Sequence, residues 1–136
     1  MCAVRPPLGI LVRAVGGVPV DRSNAKNVVE QIADQFRERD RFLLVIAPEG
    51  SRSYREYWKS GFYRIAKAAD VPVILTYLDY GRKRSGIGEI IHPSDNPVHD
   101  MDRIRAFFEP IRGLRPKNQG PIRLRLEMDS ENNKPS

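Results

Sequence analysis

Cysteine is almost missing from this sequence: Cys2 is the only one in 136 residues. An internal disulfide is therefore excluded, and nothing in the cysteine usage marks an oxidising compartment, so a cytoplasmic setting is the expectation. Long apolar runs are missing as well. No stretch approaches the roughly 18 apolar residues that a membrane-crossing helix needs, and Arg5, Pro6, Pro7 and Arg13 break up the opening segment where a signal peptide would be continuous. Histidine is scarce, with His92 and His99 alone. No internal repeat is visible.

What remains is ordinary globular material, 40% hydrophobic and 29% charged. A chain of this length suits one domain and buries enough surface for a core without staples. Lys and Arg number 23 against 17 Asp and Glu, a net charge of +6. That balance favours anionic partners, namely phosphorylated metabolites, acidic headgroups or nucleic acid, although on charge alone a solvated basic surface is the simpler reading.

Along the chain, Leu8, Leu11, Val12 and Val15 fall at helical spacing and stop at Gly16-Gly17. Ser23 is a good N-cap for a clear amphipathic helix on Ala25, Val28, Val29, Ile32, Ala33 and Phe36. Phe42 to Ala47 has the composition of a strand buried on both faces. Phe62, Ile65, Ala66 and Ala69 mark a second helix ending near Asp70, and VPVILTYLDY reads as another buried strand, with Pro72 tolerable at its start. The glycines of GRKRSGIGEII predict a turn and an antiparallel return strand ending at Ile90-Ile91. Pro97 and Asp100 introduce a helix with Ile104, Phe107, Phe108 and Ile111. The alternation of PIRLRLE predicts a last strand, and DSENNKPS a frayed tail. Helix and strand alternate, so the expected fold is α/β, a mixed and mostly parallel sheet flanked by helices.

In such sheets ligands gather beyond the carboxyl ends of strands, where APEGSRS, residues 47–53, is expected. Gly50 permits a sharp turn and close backbone approach, and Arg52 offers a two-pronged donor for phosphate. Ser51 and Ser53 add short donors. Glu49 would be repelled by a phosphate, so its expected task is to fix Arg52, Lys59 or a backbone N–H, or to hold a substrate hydroxyl. A second stretch, GGVPVDR at 16–22, ends with Asp21-Arg22 beside the Ser23 cap, where a cation and the free N–H groups of a helix start suit an anion. Each stretch alone reads equally well as an ordinary turn.

Taken in order, these pieces resemble the glycerolipid acyltransferases that make phosphatidic acid from lysophosphatidic acid, the 1-acyl-sn-glycerol-3-phosphate acyltransferase-like family. GGVPVDR is similar to the family's second block, whose Arg is assigned to the substrate phosphate. PEGSRS is similar to the third, with Ser51 in place of the usual Thr, and WKSGFYRIAKAADVPVI continues as the family does, through Lys59, Gly61 and Pro72. The resemblance covers roughly residues 8–112. It implies a glycerol-3-phosphate acyltransferase-like fold and a substrate site of Arg22, Glu49, Gly50, Ser51, Arg52, Ser53 and Lys59, supported by Gly17, Asp21, Gly61 and Pro72. It also implies an acyl thioester of coenzyme A or acyl carrier protein as co-substrate, a lysophospholipid acceptor, no metal, and peripheral contact with a membrane surface.

Two departures stand out. Leu75 occupies a place where the fourth block commonly has a second proline. The first block, His-x-x-x-x-Asp, whose His is the family's general base, is absent: Pro97 stands five positions after His92, and Ile104 five after His99. Glu49 beside Arg52 is better read as an orienting residue than as a substitute base. The domain is therefore expected to be N-terminally incomplete, a partial acyltransferase domain over 1–112 with a C-terminal extension over 113–136, exposing apolar surface and an unpaired sheet edge. Either the protein transfers an acyl group with a catalytic piece from elsewhere, or it is a non-catalytic remnant that binds a lysophospholipid or a partner. Specific nucleic-acid binding is not expected, because the basic residues are interleaved with acids and only GRKR, residues 81–84, is compact.

Overall fold

The computed structural model describes residues 25–132. Helix α1, Ala25–Glu38, realises the amphipathic pattern, with Ile32 and Ala33 buried. Its cap Ser23 and the 8–15 segment lie outside the described residues. Helix α2, Gly61–Ala69, buries Tyr63, Ile65 and Ala66 and stops where Asp70 turns left-handed, with Val71 N–H returning to the Ala66 carbonyl. The two helices pack together. Arg37 of α1 fastens the pair by donating to the Ala68 carbonyl at 2.9 Å, one of the unpaired carbonyls at the end of α2.

The return hairpin also forms as the glycines predict. Strands β1, Val73–Asp79, and β2, Arg84–Ile91, pair antiparallel, with a register irregularity between Ile74 and Thr76. One face of β1 is packed, with Leu75 and Asp79 buried, while Ile74 and Leu78 on the other face are exposed. The expected burial on both faces is therefore corrected. Leu75, the departure from a proline, sits in the core.

Helix α3, Pro97–Phe108, starts where Asn96 accepts from His99 N–H and Pro97 needs no donor. Ile111 falls outside it, in the loop that follows. A short 3-10 turn, Pro116–Asn118, leads to α4, Arg125–Asn132. Here PIRLRLE is not a strand and Asp129 to Asn132 are helical rather than frayed. The Glu127 carboxylate receives Leu124 N–H at 2.6 Å, the back-reaching half of a capping box. Arg105 then holds the same carboxylate at 2.6 Å and also donates to the Ile122 carbonyl. Burial alone would lower the Arg105 pKa, but its hydrogen bonds to Asp102 and Glu127 outweigh this and raise it. One long-range partner, Arg105, and a helix cap thus override a weak alternation.

The expected parallel sheet is the main difference. Among the described residues the sheet has two strands, β1 and β2, and they are antiparallel. Phe42 to Ala47 joins no strand: Leu43 and Val45 are exposed, Val45 at 82%, and Phe42 folds back edge-on to Phe36 at 4.7 Å. Aliphatic composition favours a strand only where a ladder partner satisfies the backbone.

The main core gathers Tyr63, Leu75, Ile91, Met101, Ile104 and Leu124 from α2, α3, the hairpin and the C-terminal segment. A buried carboxylate is hydrogen-bonded to it. Asp100 is buried and accepts from Ser94 N–H at 2.6 Å, from the Ser94 hydroxyl at 3.0 Å and from the Tyr63 hydroxyl at 2.8 Å. Burial, and then the hydrogen bond to Asp100, push the Tyr63 phenol well above its usual pKa. A raised phenol pKa keeps folded Tyr63 neutral while the unfolded chain ionises near pH ~10, so stability present below that pH falls as pH rises through it. Tyr63→Phe is expected to cost about 1–3 kcal/mol at neutral pH and to show a shallower loss above pH ~10 than wild type, measured by urea unfolding at both pH values.

Candidate functional site

The 47–53 segment folds as a tight turn. Gly50 N–H donates to the Ala47 carbonyl at 3.1 Å, closing a four-residue turn with Pro48 at its second position, where a fixed φ suits it. Gly50 takes φ +61, and a Cβ there would meet Lys59 Cδ and Cε at 2.8 Å. Lys59 therefore lies across Gly50, while its N–H donates to the Pro48 carbonyl at 2.8 Å. The Ser51 hydroxyl accepts from Ser53 N–H at 3.0 Å and holds the next bend.

This loop has no strand to satisfy its backbone, and the C-terminal segment does so instead. Trp58 N–H donates to the Arg123 carbonyl at 2.9 Å, Asn118 donates to the Arg52 carbonyl at 2.9 Å, and the Arg123 guanidinium holds both the carbonyl and the carboxylate of Glu56. Gly120 is required at this seam because a Cβ there would collide with the Arg55 carbonyl.

Between the loop, the hairpin and the 111–122 segment runs a cleft of about 1080 Å³. Glu49, Ser51 and Arg52 line one part of it, and Trp58, Tyr77, Leu78, Phe108, Leu114 and Ile122 supply an apolar wall. Trp58 and Phe108 meet edge to face at 5.9 Å. The indole N–H of Trp58 is buried without a hydrogen-bond partner among the described residues.

The expected site residues are thus only partly gathered. Glu49, Ser51 and Arg52 face the cleft; Gly50 and Lys59 shape the turn behind it; Ser53 is exposed off the cleft. Gly61 opens α2 with free space around it and Pro72 precedes β1, so both act on the frame. Arg22, Asp21 and Gly17 lie outside the described residues. Glu49 makes no ion pair with Arg52 or Lys59, and neither cation has a carboxylate partner among the described residues. Of the tasks expected for Glu49, fixing Arg52 or Lys59 is not seen, and the two cations remain available to an anion. His92 and His99 are exposed and do not line the cleft. His99 Nδ1 lies 3.8 Å from Asp100, whose oxygens are already committed to Tyr63 and Ser94.

No motif in the sequence marks the aromatic wall or the C-terminal seam as part of a site. The only signal for Trp58 was its place in the aromatic passage after the turn, and nothing local marks Asn118 or Ile122. Gly50→Ala is expected to cost about 1–2 kcal/mol, from positive φ plus displacement of Lys59. Gly61→Ala, with nothing within 4 Å of the added methyl, is expected to be neutral or stabilising by up to about 1 kcal/mol. Urea midpoints of the two variants measure the difference.

Comparison with curated proteins gives no match, and comparison with solved structures gives none. The family model described as Acyltransferase matches residues 1–77. That is more than half of the 136 residues and spans both the 16–22 stretch and the turn at the cleft. The chain therefore belongs to the acyltransferase family, and acyl transfer is the general activity this membership supports.

Proposed function

We propose that the cleft takes a lysophosphatidate-like acceptor, so that the protein serves phospholipid biosynthesis as a 1-acylglycerol-3-phosphate O-acyltransferase-like chain. The observation that carries this reading is one cleft in which an unpaired guanidinium, Arg52, meets an apolar aromatic wall. An amphiphile with a phosphate and one hydrocarbon chain matches both halves. Arg22, by the resemblance of GGVPVDR to the family's second block, is the residue proposed to supply a second cation to the phosphate. Glu49 accepts from a glycerol hydroxyl, and Gly50 and Ser51 shape the pocket.

In the reaction, the acceptor's free hydroxyl oxygen attacks the carbonyl carbon of the acyl thioester. A new C–O ester bond forms, the C–S bond breaks, and the hydroxyl proton passes through a base to the departing thiolate. The donor is an acyl thioester of coenzyme A or acyl carrier protein, met at the cytoplasmic side of a membrane. The His-x-x-x-x-Asp pattern that would supply that base is absent from the sequence, and both histidines lie off the cleft. The same observation favours a second reading, in which the protein binds a lysophospholipid or a partner without transfer.

Trp58 is the only tryptophan and lines the cleft, so its emission reports occupancy. Lysophosphatidate is expected to shift that emission, and Arg52→Ala to weaken binding about 10- to 100-fold, the worth of a charged hydrogen-bonded contact. Labelled acyl-CoA incubated with lysophosphatidate separates the readings. Product lost in Arg52→Ala supports transfer; binding without product supports the non-catalytic reading; binding indifferent to Arg52→Ala overturns both.

A further inference from the structure

The tip of the β1–β2 hairpin, Arg82 to Arg84, and Ile74, Ile87 and Ile90 on its outer face lie off the cleft, although Leu78 of the same face also walls it. Directly opposed residues of an antiparallel pair share a face. The pairs Ile74↔Ile90, Thr76↔Ile87 and Leu78↔Ser85 therefore lie together, on the side away from Leu75 and Ile91. None of the six is charged. Leu78 is 64% exposed and Ile87 77%.

The tip carries the opposite chemistry. Arg82, Lys83 and Arg84 are consecutive and exposed. Buried Asp79 shapes the turn by accepting from Arg82 N–H at 3.2 Å, and Lys83 completes it at φ 52. Asp79 also lies 3.8 Å from the Arg82 guanidinium, while Lys83 and Arg84 have no carboxylate partner among the described residues. Glu89, the one acid on β2, pairs with Arg103 of α3. Tyr80, half exposed, stands next to the tip.

We infer that this hairpin docks the protein on an anionic lipid bilayer, its cationic tip among acidic headgroups and its isoleucine and leucine side chains at the acyl boundary. Charge complementarity decides the occupant. Duplex nucleic acid would use the cations but leave the aliphatic face in water, whereas a bilayer surface satisfies both along one edge of the molecule. Thr76, Leu78 and Ser85 also line the cleft, so docking would set its mouth against the layer that holds a lysolipid; that last step rests on the acceptor reading above, the docking surface does not.

The test is flotation of the full chain with phosphatidylcholine vesicles, with and without phosphatidylglycerol. Wild type is expected to partition onto the anionic vesicles and to be released by salt. Lys83→Gln/Arg84→Gln should lower partition about thirtyfold, roughly fivefold per cation, and Ile87→Gln about tenfold. Both changes are at exposed positions, and unaltered urea midpoints will show that the fold is intact. Equal binding to neutral vesicles, no binding, or partition unchanged in the double variant overturns the inference. So does a dimer seen by light scattering that Ile87→Gln dissolves without vesicle binding, which would assign the face to a second copy. Duplex DNA binding that matches vesicle binding and ignores Ile87→Gln also overturns it. Trp58 emission with lysophosphatidate below its micellar concentration is expected to be unchanged in the double variant. Failure of the Arg52→Ala effect there, with flotation as expected, removes the acceptor reading and leaves the docking surface standing.

Discussion

The backbone of residues 48–59 has to be satisfied without a sheet, and most of the architecture around the cleft follows from that requirement. A buried or half-buried peptide group left unpaired costs about as much as a lost hydrogen bond. Lys59 N–H returns to Pro48 within the loop, while Trp58 N–H reaches Arg123 and Asn118 reaches the Arg52 carbonyl. The C-terminal segment is thereby drawn across the loop. Leu124, wholly buried beside Tyr63 and Met101, anchors it there. The cleft exists because this segment bridges the turn to α3 and the hairpin rather than lying on top of it.

Two kinds of polar group are treated in opposite ways. Asp100 and Glu127, which are buried, have their oxygens committed to backbone and side-chain donors, as carboxylates in a low-dielectric interior must be. Arg52 and Lys59 at the turn, and Lys83 and Arg84 at the hairpin tip, are exposed and meet no carboxylate among the described residues. In a protein with a net charge of +6, Arg52 thus stands beside the aromatic wall of the cleft, and Lys83 and Arg84 beside the aliphatic face of the hairpin. Phosphate-bearing amphiphiles are the chemistry that such a pairing suits.

The elements legible from sequence were those whose signals are local. Helix α2 ends where Asp70 can turn left-handed, α3 begins at the Asn96-Pro97 cap, and the glycine-punctuated hairpin returns at Ile91, each within a turn or two of its own residues. The turn at Gly50 was readable for the same reason. Where the structure departs from the local pattern, a partner far along the chain takes part, joined at α4 by a cap three residues away. Phe42 to Ala47 has strand composition but no ladder among the described residues, and the alternation of PIRLRLE yielded to the cap that Glu127 makes with Leu124 and to Arg105 from another helix. The aromatic wall was illegible because Trp58, Tyr77 and Phe108 come from three elements with no common spacing.

Sequence alone revealed helices α1 to α3, the hairpin, the tight turn at Gly50 and the resemblance to acyltransferases. These rest on backbone preferences and short-range hydrogen bonds, which act within a few residues. Tertiary structure alone decided that residues 116–124 close the site, that Glu49 does not pair with Arg52, and that the isoleucines of the hairpin share one uncharged exposed face. Those outcomes depend on which distant groups win the competition for burial and for each hydrogen-bond partner, and linear order does not encode that competition.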